Sequence, residues 1–239
     1  MGRLFAGTSG FAYADWAPHF YPAGTRGAGL LREYAARLPA VELNNTFYQQ
    51  PRPERIAAWL AATPDSFRFV VKAQRGGSLR AFGAAAQETL DWLTSPYRLF
   101  GERLGCVLFR VPDSVARDDE RLETLLAAWP ADLPLTVELE HRSWQVDEVA
   151  ALLGRHAAAL CATDLDDQPP PDLRATGAFL YLRLRRSAYT SAELDAWAAR
   201  LAPFLADGLD CYVFFRHDER GEAGHRAVDL RKRVSRMVG

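Results

Sequence analysis

Short apolar runs alternate along the chain with longer segments in which apolar residues recur every three or four positions. Eight runs predict strands, over residues 4–7, 41–44, 67–73, 106–111, 135–140, 159–163, 179–184 and 211–216. Several are almost continuously apolar, as in Cys106-Val107-Leu108-Phe109 and Tyr212-Val213-Phe214-Phe215. That pattern belongs to strands covered on both faces of a parallel sheet. Between them, Leu30, Leu31, Tyr34, Ala35 and Leu38 share one helix face, as do Leu122, Leu125, Leu126 and Trp129, and Leu194, Trp197, Leu201 and Leu205. Pro51 and Pro53 precede the helix through Ile56 and Trp59, Asp118 or Asp119 caps the helix after strand four, Ser191 caps the one after strand seven, and Gly208 suits a left-handed helix end. The proline run in Gln168-Pro169-Pro170-Pro171-Asp172 predicts a loop with at most a short helix behind it.

Strand–helix alternation repeated eight times means an α/β protein with a parallel sheet. An open doubly wound sheet and a closed barrel both satisfy it. Eight units in 239 residues favour a closed eight-stranded β/α barrel, TIM-barrel-like, as a single domain over residues 1–239. Gly7-Thr8-Ser9-Gly10 after strand one is not the G-x-G-x-x-G dinucleotide fingerprint.

Composition narrows the function classes. Apolar residues make up 49% and charged residues 25%, an ordinary globular balance. A net charge of -1 lacks the basic excess of most nucleic-acid binders, without excluding a nucleic-acid partner. Arg231-Lys232-Arg233 with Arg236 is the one local basic run, read as a solvated helix face. No secretory apolar region follows Met1, and no run approaches the roughly 18 apolar residues of a spanning helix. Cys106, Cys161 and Cys211 each sit in an apolar run and read as small core residues of a reducing compartment. The expectation is a cytoplasmic protein without a membrane partner; the sequence carries no signal for oligomeric state.

In such a barrel, functional groups come from the C-terminal strand ends and the loops after them. Here those ends supply Thr8 and Ser9; Glu42, Asn44, Asn45, Thr46, Phe47 and Tyr48; Lys72; Arg110; Glu138, Glu140, His141 and Trp144; Asp164; Tyr181, Arg183 and Arg185; and Arg216, His217 and Asp218. Side chains alternate across a strand. Glu42 then shares a face with Asn44, Glu138 with Glu140 and Arg183 with Arg185, while Leu43, Leu139 and Leu184 point to the helices. Glu42, Glu138, Glu140 and Asp164 are expected to face Lys72, Arg110, Arg183, Arg185 and Arg216 across a mouth nearly balanced in sign.

Two readings follow. In the first the chain is an enzyme, leaning to a hydrolase or isomerase, with an anionic substrate that bears phosphate or is a sugar or nucleic acid. Glu42, Glu138 and Asp164 do acid or base work, Lys72 and Arg183 stabilise charge, and Asn44, Tyr48 and Trp144 position the ligand. In the second it is a binding or scaffold protein without catalysis, and the inner charges form a structural salt-bridge network. Ser9 and Ser143 are nucleophile candidates by residue type alone, outside any G-x-S-x-G elbow. His141 beside Glu140 is a general base or a hydrogen-bonded loop residue. Trp16, Phe47, Tyr48 and Trp144 line a pocket or serve packing. The five histidines show no metal-ligand spacing. No cofactor is identified, and a divalent metal on carboxylates alone stays open without support from ligand spacing.

The same strand ends resemble the domain of unknown function 72 family, also called YecE-like. The resemblance rests on Gly7-Thr8-Ser9-Gly10-Phe11 with Trp16 and Phe20-Tyr21-Pro22, and on Val41-Glu42-Leu43-Asn44-Asn45-Thr46-Phe47-Tyr48. It continues in Phe67-Arg68-Phe69-Val70-Val71-Lys72-Ala73, Leu104-Gly105-Cys106-Val107-Leu108-Phe109, Glu138-Leu139-Glu140-His141-Arg142-Ser143-Trp144 and Tyr181-Leu182-Arg183-Leu184. It implies a TIM-type barrel with no established activity, and a relatedness to metal-dependent barrel nucleases and sugar isomerases. The chain departs from the family pattern at five places. Gly76-Gly77-Ser78 replaces a Thr-His pair, Arg110 a glutamine, Glu140 an arginine, Arg185-Arg186 a His-Gly pair, and Arg216-His217 an Asn-Asn pair before Asp218. One arginine has become a glutamate while neutral or weakly basic positions have become arginines, among them Arg110, Arg185 and Arg216. The expectation is relocation of charge within one network, with Glu140 paired to Arg110, Arg185 or Arg216, and a family ligand altered or lost.

Overall fold

Alternation along each strand divides its side chains between helices outside and a barrel interior, and the computed structural model, which describes residues 1–84 and 87–238, follows that division throughout. The strands are β1 (Leu4–Thr8), β2 (Ala40–Leu43), β3 (Arg68–Lys72), β4 (Leu104–Val111), β5 (Leu135–Leu139), β6 (Ala159–Asp164), β7 (Phe179–Leu184) and β8 (Asp210–Phe215). The helices are α1 (Ala28–Ala35), α2 (Pro53–Ala61), α3 (Arg75–Ala84), α4 (Gln87–Thr94), α5 (Asp119–Ala128), α6 (Asp147–Arg155), α7 (Ser191–Ala206) and α8 (Glu222–Val238). All ladders are parallel, in the order β1-β8-β7-β6-β5-β4-β3-β2. The expected β/α barrel is present.

Outward rows such as Val41 and Leu43, Val107 and Phe109, and Leu182 and Leu184 pack against the helices in one apolar core. Inward rows build a second core within the barrel from Phe5, Ala40, Val70, Cys106, Leu108, Ala159, Cys161, Phe179, Tyr181, Tyr212 and Phe214. This inner core fills the barrel and forms an apolar floor for whatever sits at the strand ends. All three cysteines are buried in these cores, as expected.

The ring of ladders closes between β1 and β2 through a single bridge, Ser9 to Glu42, with Gly10 N–H donating to the Glu42 carbonyl at 2.8 Å. Below that bridge a tyrosine from α1 supplies the missing rung. The Tyr34 hydroxyl accepts from the Thr8 N–H at 2.8 Å and donates to the Ala40 carbonyl at 3.0 Å. The approach requires Gly7, because a Cβ there would stand 2.0 Å from the Ala40 oxygen.

Local signals were followed closely, with three shifts. Asp118 caps α5 through the Arg121 N–H, and Gly208 takes φ 89° after α7. The cap of α7 is Thr190 rather than Ser191, because Glu193 closes a capping box with it: each side chain accepts from the other residue's N–H. β2 ends at Leu43, since Asn44 (φ -83°, ψ -25°) already turns into the short helix Asn45–Phe47. The strand alternation that linked Glu42 to Asn44 stops there. The basic run near the C-terminus is not simply solvated. Arg233 donates to Asp229 and to the Ser191 hydroxyl, both at 2.9 Å, and Arg231 donates to the Arg37 carbonyl at 3.0 Å, tying α8 to its neighbours. Among the described residues, no helix is long and apolar enough to cross a membrane.

Candidate functional site

Three charges lie at the top of the inner core. Glu42 comes from β2, Glu138 from β5 and Arg183 from β7, and their exposures are 0%, 4% and 3%. The Arg183 guanidinium spans both carboxylates, Nη2 donating to Glu42 Oε1 at 2.7 Å and Nη1 to Glu138 Oε1 at 2.6 Å. Glu42 also accepts from the Ser9 hydroxyl at 2.8 Å and the Tyr181 hydroxyl at 2.7 Å. Glu138 is less well served: Thr163 Oγ1 reaches Oε1 only at 3.5 Å, and Oε2 has no hydrogen-bond partner among the described residues. Burial alone drives both carboxyls up, but the positive charges of Arg183 and Lys72 reverse this. They hold Glu42 down to about 2 and Glu138 below the usual carboxylate range. Both are therefore ionised at neutral pH.

Above this triad the charges are mostly positive. Lys72 ends β3 half-buried, its amine 4.6 Å from the centre of the Phe47 ring, and it forms no ion pair among the described residues. Burial and the Arg183 charge push its pKa down against the pull of Glu138 and Glu42. Arg185, one step beyond β7, is also half-buried without an ion pair among the described residues, and burial and Arg183 lower its pKa too. Arg216 is exposed at the end of β8. Arg110 is the exception, with both prongs on Glu140, which also accepts from the Asp113 N–H at 3.2 Å. Tyr13 donates to the Ser9 carbonyl at 3.0 Å and stacks on His217 with ring centres 5.0 Å apart. His217 is held below its usual pKa by burial and by Arg185 and Arg216.

The expected balance of signs is corrected by Asp164. In the β6–β7 register Thr163 lies beside Arg183, whereas Asp164 lies beside the outward Leu184. The Asp164 carboxylate is fully buried outside the barrel, accepting from Arg186 Nε at 2.9 Å and the Tyr189 hydroxyl at 2.9 Å. Without it the mouth sets Lys72, Arg110, Arg183, Arg185 and Arg216 against Glu42, Glu138 and Glu140, an excess of positive charge.

Several other candidates serve structure. Trp144 is buried, donates from its indole to the Val115 carbonyl at 2.9 Å and packs edge-on with Phe82. Trp16 is buried and donates to the Asp218 carbonyl at 2.8 Å. Thr8 spends its hydroxyl on the Gly10 carbonyl at 2.7 Å at the β1–β2 seam. His141 Nδ1 lies 2.8 Å from the Ser143 hydroxyl and accepts from the Ser143 N–H at 3.2 Å, the hydrogen-bonded loop arrangement. Asn45 and Tyr48 are exposed, and Asn44 is half-buried at the turn. Sequence reasoning named Tyr181 and His217 at the strand ends without giving them a role, and it missed Tyr13 and Thr163. Thr163 shares strand parity with inward residues, so alternation could have found it.

The N-terminus of α8 does not offer the usual anion site of barrel loops. Asp218 already fills it, accepting from Arg220 N at 2.8 Å and Glu222 N at 3.0 Å. That helix terminus is therefore closed to an anion from the mouth. Among the described residues, no group of three or more His, Cys, Asp or Glu side chains comes together to hold a metal.

The parallel ladders and the charged strand ends define a TIM-barrel-like protein. More particularly, the chain belongs to the family described as "Protein of unknown function DUF72", whose model matches residues 5–238. It is 30% identical over 142 residues to the UPF0759 protein YunF of Bacillus subtilis (strain 168), a match covering 54% of this chain and 49% of that protein. The chain thus spans about half the length of that curated relative. A DUF72 family protein from Thermotoga maritima MSB8 superposes with a TM-score of 0.84 at 26% identity, covering 98% of this chain and 99% of that one. Another, from Enterococcus faecalis V583, shares the fold with a TM-score of 0.78 at 21% identity, covering 98% of each chain.

Proposed function

We propose that the barrel mouth is the active site of an enzyme acting on a small anionic substrate. One observation carries this reading: among the described residues Lys72 and Arg185 hold no carboxylate, while the buried Glu138 keeps a carboxylate oxygen without a donor. A network built for stability alone pairs its buried charges. A ligand that brings an anionic group to Arg185 and Arg216, and a donor to Glu138 Oε2, completes the set.

The roles follow from the chemistry. Glu138 is ionised and has a free oxygen, so it is the proton acceptor. Lys72 stabilises negative charge that develops beside it. Glu42 is satisfied by Ser9, Tyr181 and Arg183 together, which fits a structural floor that fixes Arg183 and, through it, Glu138. The structural-network reading thus accounts for the lower half of the cluster and not for the upper half. Proton transfer between carbon or oxygen atoms, as in isomerisation or hydrolysis, is the reaction class this set serves.

Thermal unfolding against phosphate, sugar phosphates, small carboxylic acids, nucleotides and oligonucleotides tests the reading, with neutral sugars as controls. A ligand of the native state raises the midpoint with concentration. The expected result is a rise with at least one class of anion that Arg185→Gln abolishes. A flat panel, or the same rise in Arg185→Gln, overturns it.

A further inference from the structure

We propose that Lys72 is an amine nucleophile that forms a Schiff base, so that the substrate of the mouth carries an aldehyde or ketone carbonyl beside its anionic group. The anionic half of this statement rests on the reading above; the amine half does not.

The chain has 29 lysines and arginines, and only Lys72 and Lys232 are lysines. Wherever else it needs a positive side chain, it uses arginine. An arginine keeps its proton under all ordinary conditions, whereas a lysine in a dry, positive setting gives it up. The one interior position that carries a lysine is the end of β3, within the barrel mouth. Two ionised carboxylates face the same interior, yet neither forms an ion pair with the amine; each gives one oxygen to Arg183, at 2.7 Å for Glu42 and 2.6 Å for Glu138. The Phe47 ring covers the amine at 4.6 Å and limits its hydration, although its own attraction for an ammonium tempers the effect. Burial and Arg183 work in the opposite sense and dominate, lowering its pKa. Glu138, with its open oxygen, is the nearby ionised group for proton relay; the two side chains are not in direct contact, so the proton passes through a water or the bound substrate.

The step balances without a further reactant. Glu138 takes a proton from the Lys72 ammonium, and the freed lone pair attacks the carbonyl carbon. The C–N bond forms as the C=O π pair moves to oxygen, which takes the proton held by Glu138. Glu138 then takes a second proton from the new C–N nitrogen and passes it to the departing hydroxyl, water leaves, and an iminium C=N bond remains. One ammonium and one carbonyl give one iminium and one water.

The scarcity of amines makes the test direct. The whole protein is incubated at neutral pH with cyanoborohydride and glyoxylate, pyruvate or neutral acetaldehyde, and the labelled peptides are mapped by mass. Lys232, exposed on α8, is the internal reference. The expected result is that glyoxylate or pyruvate labels Lys72 about tenfold or more faster than Lys232, that both outpace acetaldehyde at Lys72, and that Lys72→Arg loses this fast label. Labelling of Lys72 no faster than Lys232 by every probe overturns the amine role, and the anion site then stands or falls on thermal unfolding alone. Fast labelling of Lys72 by acetaldehyde with no advantage for the acids keeps the amine chemistry and overturns the anionic substrate class.

Discussion

Arg110 and Glu140 form a two-pronged ion pair at the lip of the barrel, Nη2 meeting Oε2 at 2.6 Å. Of the three arginines available to Glu140, this one alone pairs with it among the described residues. Each partner keeps nearly a third of its side-chain exposure, so solvent screens the pair. A double-mutant cycle of Arg110→Gln and Glu140→Gln should give a coupling of about 1 kcal/mol in urea unfolding. The same cycle with Arg185→Gln or Arg216→Gln should give additive effects. Equal coupling to all three would show that Glu140 exchanges partners.

Arg183 is the member of the buried triad whose loss costs most. Replacing it with methionine strands two carboxylates in the barrel, and a loss of about 3–5 kcal/mol is expected. Glu42→Gln should cost less, because Ser9 and Tyr181 can still serve the amide. A smaller loss for Arg183→Met than for Glu42→Gln would contradict this order.

The same triad sets acid behaviour. Glu42 falls from 4.5 to about 2 on folding, and Glu138 is also depressed. Groups with a lowered folded pKa contribute stability that is complete above their unfolded value and is lost as pH falls through the folded one. The Glu42 contribution should therefore be lost as pH falls from about 4.5 to about 2, read by circular dichroism. Arg183→Met removes the cause of the depression and should move the acid midpoint upward. A midpoint unmoved by that substitution would exclude the triad as its source.

Tyr34→Phe deletes one oxygen and leaves the Thr8 N–H and the Ala40 carbonyl without their shared partner. A loss of about 1–3 kcal/mol is expected. Hydrogen exchange should localise it, with the Thr8 amide accelerated and the β4–β5 ladder unchanged. Uniform acceleration across the barrel would mean that the seam does not open by itself.

Arg185→Gln removes a half-buried positive charge that lies near Arg183 and, among the described residues, has no carboxylate of its own. Unlike the previous changes, it should leave stability unchanged or raise it slightly, while removing the response to anions. A loss of more than about 1 kcal/mol would place Arg185 in the structural network.

The barrel was legible because its strands are covered on both faces and its helices on one, and those periodicities stand in single stretches of chain. Strand parity also put Glu138 and Arg183 on the interior face, where they meet. Asp164 departs from expectation because alternation runs to the last residue of β6: Cys161 and Thr163 point inward, so the next residue cannot. The pairing of Glu140 was legible as a change of sign but not as a choice of partner, since Arg110 is selected by the β4–β5 register. The burial of Trp144 depends on Val115, from the loop after β4, and Phe82, from α3, which are distant in the chain and leave no local trace. Tyr34 was counted with the apolar face of its helix, and its ring does pack there; its hydroxyl matters only where two strand ends meet around a closed ring.

Glu42 stands at that meeting point with both halves of its structure engaged. Its backbone carries the bridge to Ser9 and Gly10, and its carboxylate carries the Ser9 hydroxyl across the same gap while holding Arg183. The hoop that keeps the staves together is therefore fastened by a titratable clasp. Protonation of this one acid is thus expected to slacken the β1–β2 closure and the seat of Arg183 together.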